Sequence, residues 1–315
     1  MLMPSFSPDL DTLNEEAIRL DVCQSIEHGF FSSLCALESG LTPDEQRRML
    51  EIACDEAGDR IGISLSLAGE SMAENIEILE YAESVGATHA LLSYPQNFRP
   101  ATQEDVYDFV STIVDATGLG IVLFVSDKFS FRHLHPSGVP FDAYERLADL
   151  DNVITMKLGG MDAALILECF ERFNERLLVT SVVFGMLPML VQNFGLQWSG
   201  AWTVEALQSP QKPYAIQFMQ HLQNEEIEEA MEIYWRLTPA LTAMAQVMAP
   251  AIPTGTYNWS LLKFQQWISG GNGGMTRQPC MRVYQRDIDT VRSGLASIGI
   301  ECADPDDQFF EGRIQ

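Results

Sequence analysis

Cationic side chains are the first shortage. Lysine and arginine number 19 against 44 aspartates and glutamates, a formal charge of −25 over 315 residues. Nucleic acid and anionic membrane surfaces are both gripped by basic patches, so neither is expected as a partner. Lysine is the scarcest cation: Lys128, Lys157, Lys212 and Lys263 stand beside 15 arginines. The six cysteines show no CxxC spacing, which predicts reduced, buried thiols in a cytoplasmic protein. No apolar run reaches the ~18 residues of a membrane span. The opening Met1–Asp11 carries acid and no base, unlike a signal peptide. GxSxG and HExxH signatures are missing as well. His133 and His135 form an HxH, but in a loop with no third ligand in view, so no metal is expected.

What is present is apolar residue, 46% of the chain, which is ample for a large core and excludes disorder as the main state. It is arranged as short β-branched runs alternating with stretches of helical period. Strands are predicted at 2–6, 29–36, 60–67, 88–94, 121–125, 153–157, 177–181 and 199–203. Helices are predicted between them. The clearest starts at Thr42-Pro43-Asp44-Glu45, an N-cap, a proline in the first turn and two acids. Eight strand–helix repeats within about 220 residues predict a (β/α)8 barrel. A doubly wound sheet would carry a glycine-rich loop after its first strand, and the chain has Ser7-Pro8-Asp9 there. Beyond residue 204 the alternation stops and helices are predicted at 224–248, 258–268 and 287–298. The domain reading is therefore a barrel over 1–222 and a C-terminal helical extension over 223–315. Ser269-Gly270-Gly271-Asn272-Gly273-Gly274 reads as a flexible loop.

Barrel enzymes carry their chemistry at the C-terminal ends of strands. Those positions hold Ser33, Cys35, Ser66, Ser93, Tyr94, Phe124, Ser126, Lys157, Thr180 and Ser181. Only Lys157 is charged. Period-two alternation puts it on one face with Val153 and Thr155. An inward-facing amine among apolar layers is desolvated, which favours the neutral form that attacks a carbonyl. Leu158-Gly159-Gly160 leaves room beside it. The plainer reading is a lysine that reaches solvent or pairs with an acid. The loop after the fifth strand offers Arg132 and His133 to an anionic substrate.

Around Lys157 the chain resembles the dihydrodipicolinate synthase / N-acetylneuraminate lyase superfamily of class I aldolases. The likeness runs through Ala82-Glu83-Ser84-Val85-Gly86-Ala87, Ala90-Leu91-Leu92-Ser93-Tyr94-Pro95, Arg99-Pro100 and Gly120–Phe124. It ends on Leu147-Ala148 and Asn152-Val153 leading to Lys157. The resemblance implies a (β/α)8 barrel with a helical extension and a Schiff base on Lys157. It also implies a small-molecule carbonyl substrate, no separate cofactor, and a homo-oligomer (dimer or tetramer). Two family features are altered. Ser33–Gly40 replaces the hydroxyl-rich turn that holds a substrate carboxylate, leaving Ser33 and its neighbours for that task. Phe124 stands where the family places a proton-shuttling tyrosine, in front of a longer loop. Tyr94, Ser126 or a loop histidine is the expected substitute, with Cys35, Ser66 and Ser181 completing the expected substrate contacts. The function implied is a Schiff-base lyase acting on a 2-oxo acid or related carbonyl. The alternative is a barrel that binds small molecules without turnover.

Overall fold

The computed structural model describes residues 1–205, 207–250, 258–277 and 282–314. Six strands form one sheet in chain order: β1 (Ser32–Cys35), β2 (Gly62–Ser66), β3 (His89–Leu91), β4 (Gly120–Val125), β5 (Val153–Leu158) and β6 (Leu178–Ser181). Every pairing from β2 to β6 is parallel. The chain divides into two compact units, Ser64–Gly200 and Met1–Ile63 with Ala201–Gln315.

In the unit Ser64–Gly200, each parallel step is made through a helix: Met72–Ser84, Gln103–Asp115, Phe141–Leu147 and Ala163–Phe173. The sequence sets their starts. Ser71 with Glu74 and Thr102 with Asp105 close capping boxes, and the Asp162 carboxylate accepts from the amides of Ala164 and Leu165. The expected eighth strand at 199–203 does not form a ladder. The Thr180 hydroxyl instead donates to the Trp198 carbonyl at 2.6 Å, and the Ser199 hydroxyl donates to the Ser181 carbonyl. Side-chain hydroxyls thus take over the edge of β6, and Trp202–Glu205 turns helical.

In the other unit, the expected first strand shrinks to two isolated bridges, Leu2 parallel with Cys35 and Phe6 antiparallel with Leu13. The Leu2 amide donates to Leu34 and its carbonyl accepts from Ala36. Pro4, which has no N–H, stops the ladder from continuing. Helix Pro43–Ala57 starts on the Thr42/Glu45 capping box as its sequence predicts. The C-terminal helices are Ile227–Met248, Trp259–Ile268 and Gln285–Ser297.

The glycine-rich segment is not a flexible loop but part of this unit's core. Ser269 and Gly271–Gly274 are buried. The Asn272 amide donates to the Asp21 carboxylate at 2.6 Å, its side-chain oxygen accepts from the Ile314 amide, and its carbonyl accepts from the Arg313 amide. Glycine is needed there because Gly273 has φ +76° and lies against Trp267.

A buried imidazole and a half-buried carboxyl of this unit oppose each other in pH. Burial lowers the His28 imidazole from 6.5 to about 4, and burial raises the Asp21 carboxyl from 3.8 to about 6. The His28 contribution to stability is present above 6.5 and lost as pH falls through 4. The Asp21 contribution is present below 3.8 and lost as pH rises through 6. In Asp21→Asn, which keeps an oxygen for the Asn272 amide, urea unfolding is expected to show stability rising with pH between about 4 and 7. Relative to wild type the gain is on the order of 2–3 kcal/mol. Parallel pH profiles for the two proteins would contradict this assignment.

Candidate active site

β5 positions Lys157. Its neighbours in register are Phe124 on β4 and Thr180 on β6. One layer earlier, Thr155 is flanked by Val122 and Leu178. Leu91 extends that layer beyond Val122, and Ser66 extends it beyond Leu91. Residues paired across parallel strands share a face, so Ser66, Phe124, Thr155, Lys157 and Thr180 share one. The expected companion Val153 does not belong with them. The β4/β5 register shifts between Ile121 and Val122, so Val153 pairs with Ile121 and Thr155 with Val122. This bulge breaks the alternation that the sequence suggests.

Lys157 is half-buried. Its Nζ lies 5.5 Å from the centroid of the Phe124 ring. The ring is confined by the backbone beside it. The Gly159 amide donates to the Val125 carbonyl at 2.7 Å, and a Cβ on Gly159 would stand 2.8 Å from the ring edge. The space left by Gly159 is therefore filled by Phe124, whereas a Cβ on Gly160 would meet nothing. Thr180 is fully buried on the same face, and sequence reasoning favoured its neighbour Ser181. Which of the two shares the face of Lys157 depends on inter-strand register, which a single sequence does not show.

Ser181 takes the opposite face. Its hydroxyl accepts from the Val183 amide at 3.1 Å. Tyr94 also lies away from Lys157's face, in the helix layer. Its hydroxyl is 3.1 Å from that of Tyr144 on helix Phe141–Leu147, and its ring packs on Phe98, Phe109, Phe129 and Phe131. Burial holds its phenol well above the ordinary tyrosine range. Tyr94→Phe is expected to leave any Lys157 adduct unchanged and to cost about 1–2 kcal/mol in urea unfolding, since Tyr144 loses its buried partner. A loss of turnover at unchanged stability would overturn that placement.

The loop after β4 holds itself together. The Ser126 hydroxyl accepts from the Lys128 amide at the start of the short turn Asp127–Phe129. His133 Nε2 lies 2.8 Å from the Pro100 carbonyl, and His135 Nδ1 lies 2.7 Å from the Ser137 hydroxyl. Both histidines thus tie loop segments. Arg132 is exposed. In the other unit, Ser33 is buried with its hydroxyl 3.2 Å from that of Ser25. Cys35 is buried too, and burial pushes its thiol far up. Among the described residues, no three histidine, cysteine or acidic side chains are grouped to hold a metal. No helix among them is long and apolar enough to cross a membrane.

The sequence pattern of the Dihydrodipicolinate synthetase family matches residues 12–293. The 4-hydroxy-tetrahydrodipicolinate synthase of Chloroherpeton thalassium is 30% identical over 214 residues, covering 66% of this chain and 68% of that protein. The crystal structure of dihydrodipicolinate synthase from Aquifex aeolicus superimposes with a TM-score of 0.75 at 18% identity, covering 96% of this chain and 98% of that one. That of N-acetylneuraminate lyase from Fusobacterium nucleatum complexed with pyruvate superimposes with a TM-score of 0.72 at 19% identity, covering 95% of each chain. At such identities the structures establish the fold, a (β/α)8 barrel with C-terminal helices.

Proposed function

Because the chain belongs to the dihydrodipicolinate synthetase family of class I aldolase-type lyases, we propose that Lys157 forms a Schiff base with a 2-oxo acid or closely related carbonyl compound. The neutral amine adds to the carbonyl carbon, water leaves, and the protonated imine withdraws electrons from the adjacent carbons. Cleavage or formation of the next C–C bond, or loss of a β-hydroxyl, follows from the same intermediate. The chemistry asks for no cofactor beyond this lysine.

The observation that carries the reading is the placement of Lys157 at the C-terminal end of β5, between Phe124 and Thr180. None of the other lysines stands on a strand. Lys263 is buried and donates to the Pro4 carbonyl and the Ser5 hydroxyl. Lys212 donates to the Gly299 carbonyl, and Lys128 lies over the Phe129 ring. Ser66 and Thr180 supply hydroxyls on the face of Lys157, and Arg132 supplies a cation for an acidic substrate group. Support for a 2-oxo acid comes from the Fusobacterium nucleatum lyase, whose structure contains pyruvate. We assign the barrel to 1–222 and the extension to 223–315, and propose a cytoplasmic homo-oligomer.

The test is borohydride trapping with a panel of 2-oxo acids, followed by peptide mapping. A reduced adduct on the peptide containing Lys157 is expected with at least one acid. An adduct mapped to another lysine, or saturable binding without any adduct, would overturn the assignment. The second outcome would identify a barrel that binds small molecules without turnover.

A further inference from the structure

We infer that the face of the Phe124 ring stabilises positive charge on the Lys157 nitrogen, as ammonium and as iminium alike. The inference rests on the Schiff-base reading above for its iminium half and on geometry alone for its ammonium half. Phe124 and Lys157 are register partners on adjacent strands. Nζ lies 5.5 Å from the ring centroid, inside the ~6 Å within which a ring quadrupole attracts a cation. The ring cannot simply turn away. The backbone of Gly159 lies against its edge, and Phe129 meets it at 6.3 Å in an edge-on arrangement. Phenylalanine has no exchangeable proton, so its part in the reaction is electrostatic. It is a positioning residue that acts through Lys157.

The charge balance gives this role a signature in pH. Below the amine's titration point, RNH3⁺ and a ketone give RNH⁺=CR2 and water. One cation replaces another, and the ring's effect largely cancels. Above that point, RNH2, a proton and the ketone give the same iminium and water. A neutral group has become a cation beside the ring, and the full effect appears. A ring that merely filled space would weaken the adduct equally at every pH.

The experiment compares wild type, Phe124→Leu and Phe124→Tyr, with pyruvate as the probe and borohydride trapping as the readout from pH 6 to 10. In Phe124→Leu, the apparent dissociation constant of the adduct is expected to rise about 2- to 5-fold above the amine's titration point, with little change below it. Phe124→Tyr keeps the aromatic face and is expected to follow wild type across the range. A pH-independent weakening in Phe124→Leu, or no weakening, would overturn the inference. Should pyruvate give no adduct on wild type, the functional reading fails for that acid, and the charge effect is still decided by NMR. With four lysines in the chain, ¹³C-methylated amines can be resolved and Lys157 identified by its loss in Lys157→Arg. Its titration point is expected about half a pH unit lower in Phe124→Leu than in wild type. An unchanged titration point would overturn the inference independently of any substrate.

Discussion

Lys157→Ala abolishes the borohydride-trapped adduct and lowers turnover by at least on the order of 10³-fold. The expectation follows from what the amine supplies. Without a primary amine no imine forms, and no other lysine is paired with Phe124 and Thr180 on that face. Lys157→Arg is expected to fail as completely, because a guanidinium stays charged and does not add to a carbonyl. The fold should survive both changes. Lys157 is half-buried at a strand end, and losing its contact with the Phe124 ring costs about 1 kcal/mol or less. Catalysis and stability are thus expected to separate: a urea midpoint near wild type beside a flat progress curve. An adduct of wild-type yield in Lys157→Ala would move the nucleophile elsewhere.

Gly273→Val is expected to do the reverse, removing stability without touching the chemistry directly. Gly273 has φ +76°, and a Cβ would stand 2.7 Å from the Trp267 ring and 3.0 Å from the Phe309 carbonyl. A β-branched residue resists positive φ, at about 1–2 kcal/mol. Forcing atoms into a filled core adds about 1–3 kcal/mol. The surroundings cannot easily give way. Trp267 is fully buried and packs on Phe264 and Phe309, with the Arg292 and Arg313 guanidinium groups over its ring. The Gly274 amide next door donates to the Phe309 carbonyl at 2.6 Å. Equilibrium urea unfolding should therefore show a loss of about 3–5 kcal/mol. A change within about 0.5 kcal/mol would mean that the segment is a surface loop after all.

The same segment shows where sequence reading stops. Composition identifies glycines but not whether the missing side chains leave open space or make room for a neighbour. At Gly160 it is space, and at Gly159 and Gly273 it is an aromatic ring. Helix starts are legible because their causes are local. The Thr42 cap and the acids that follow it lie within one turn. The strand of Lys157 is legible for the same reason, as a short β-branched run ending in the one charged strand-end residue. The first strand is overestimated because Pro4 ends its ladder, and the eighth because Thr180 and Ser199 hydroxyls replace ladder bonds. Faces are harder to read than strands. One bulge at Ile121/Val122 reassigns Val153, and the side of the sheet taken by Tyr94 or Ser181 depends on register with neighbours distant in the chain. Thr180, partner of Lys157 in register, becomes visible only once β5 and β6 are aligned.

The central claim is that the Lys157 nitrogen captures a carbonyl carbon. The most direct measurement is a crystal soaked in pyruvate, with and without reduction, viewed at the end of β5. Continuous density from Nζ to the second carbon of the acid, lying beside the Phe124 ring and within reach of the Thr180 side, is the result predicted. Pyruvate held there with a clear gap to Nζ, or bonded to a different lysine, would contradict it.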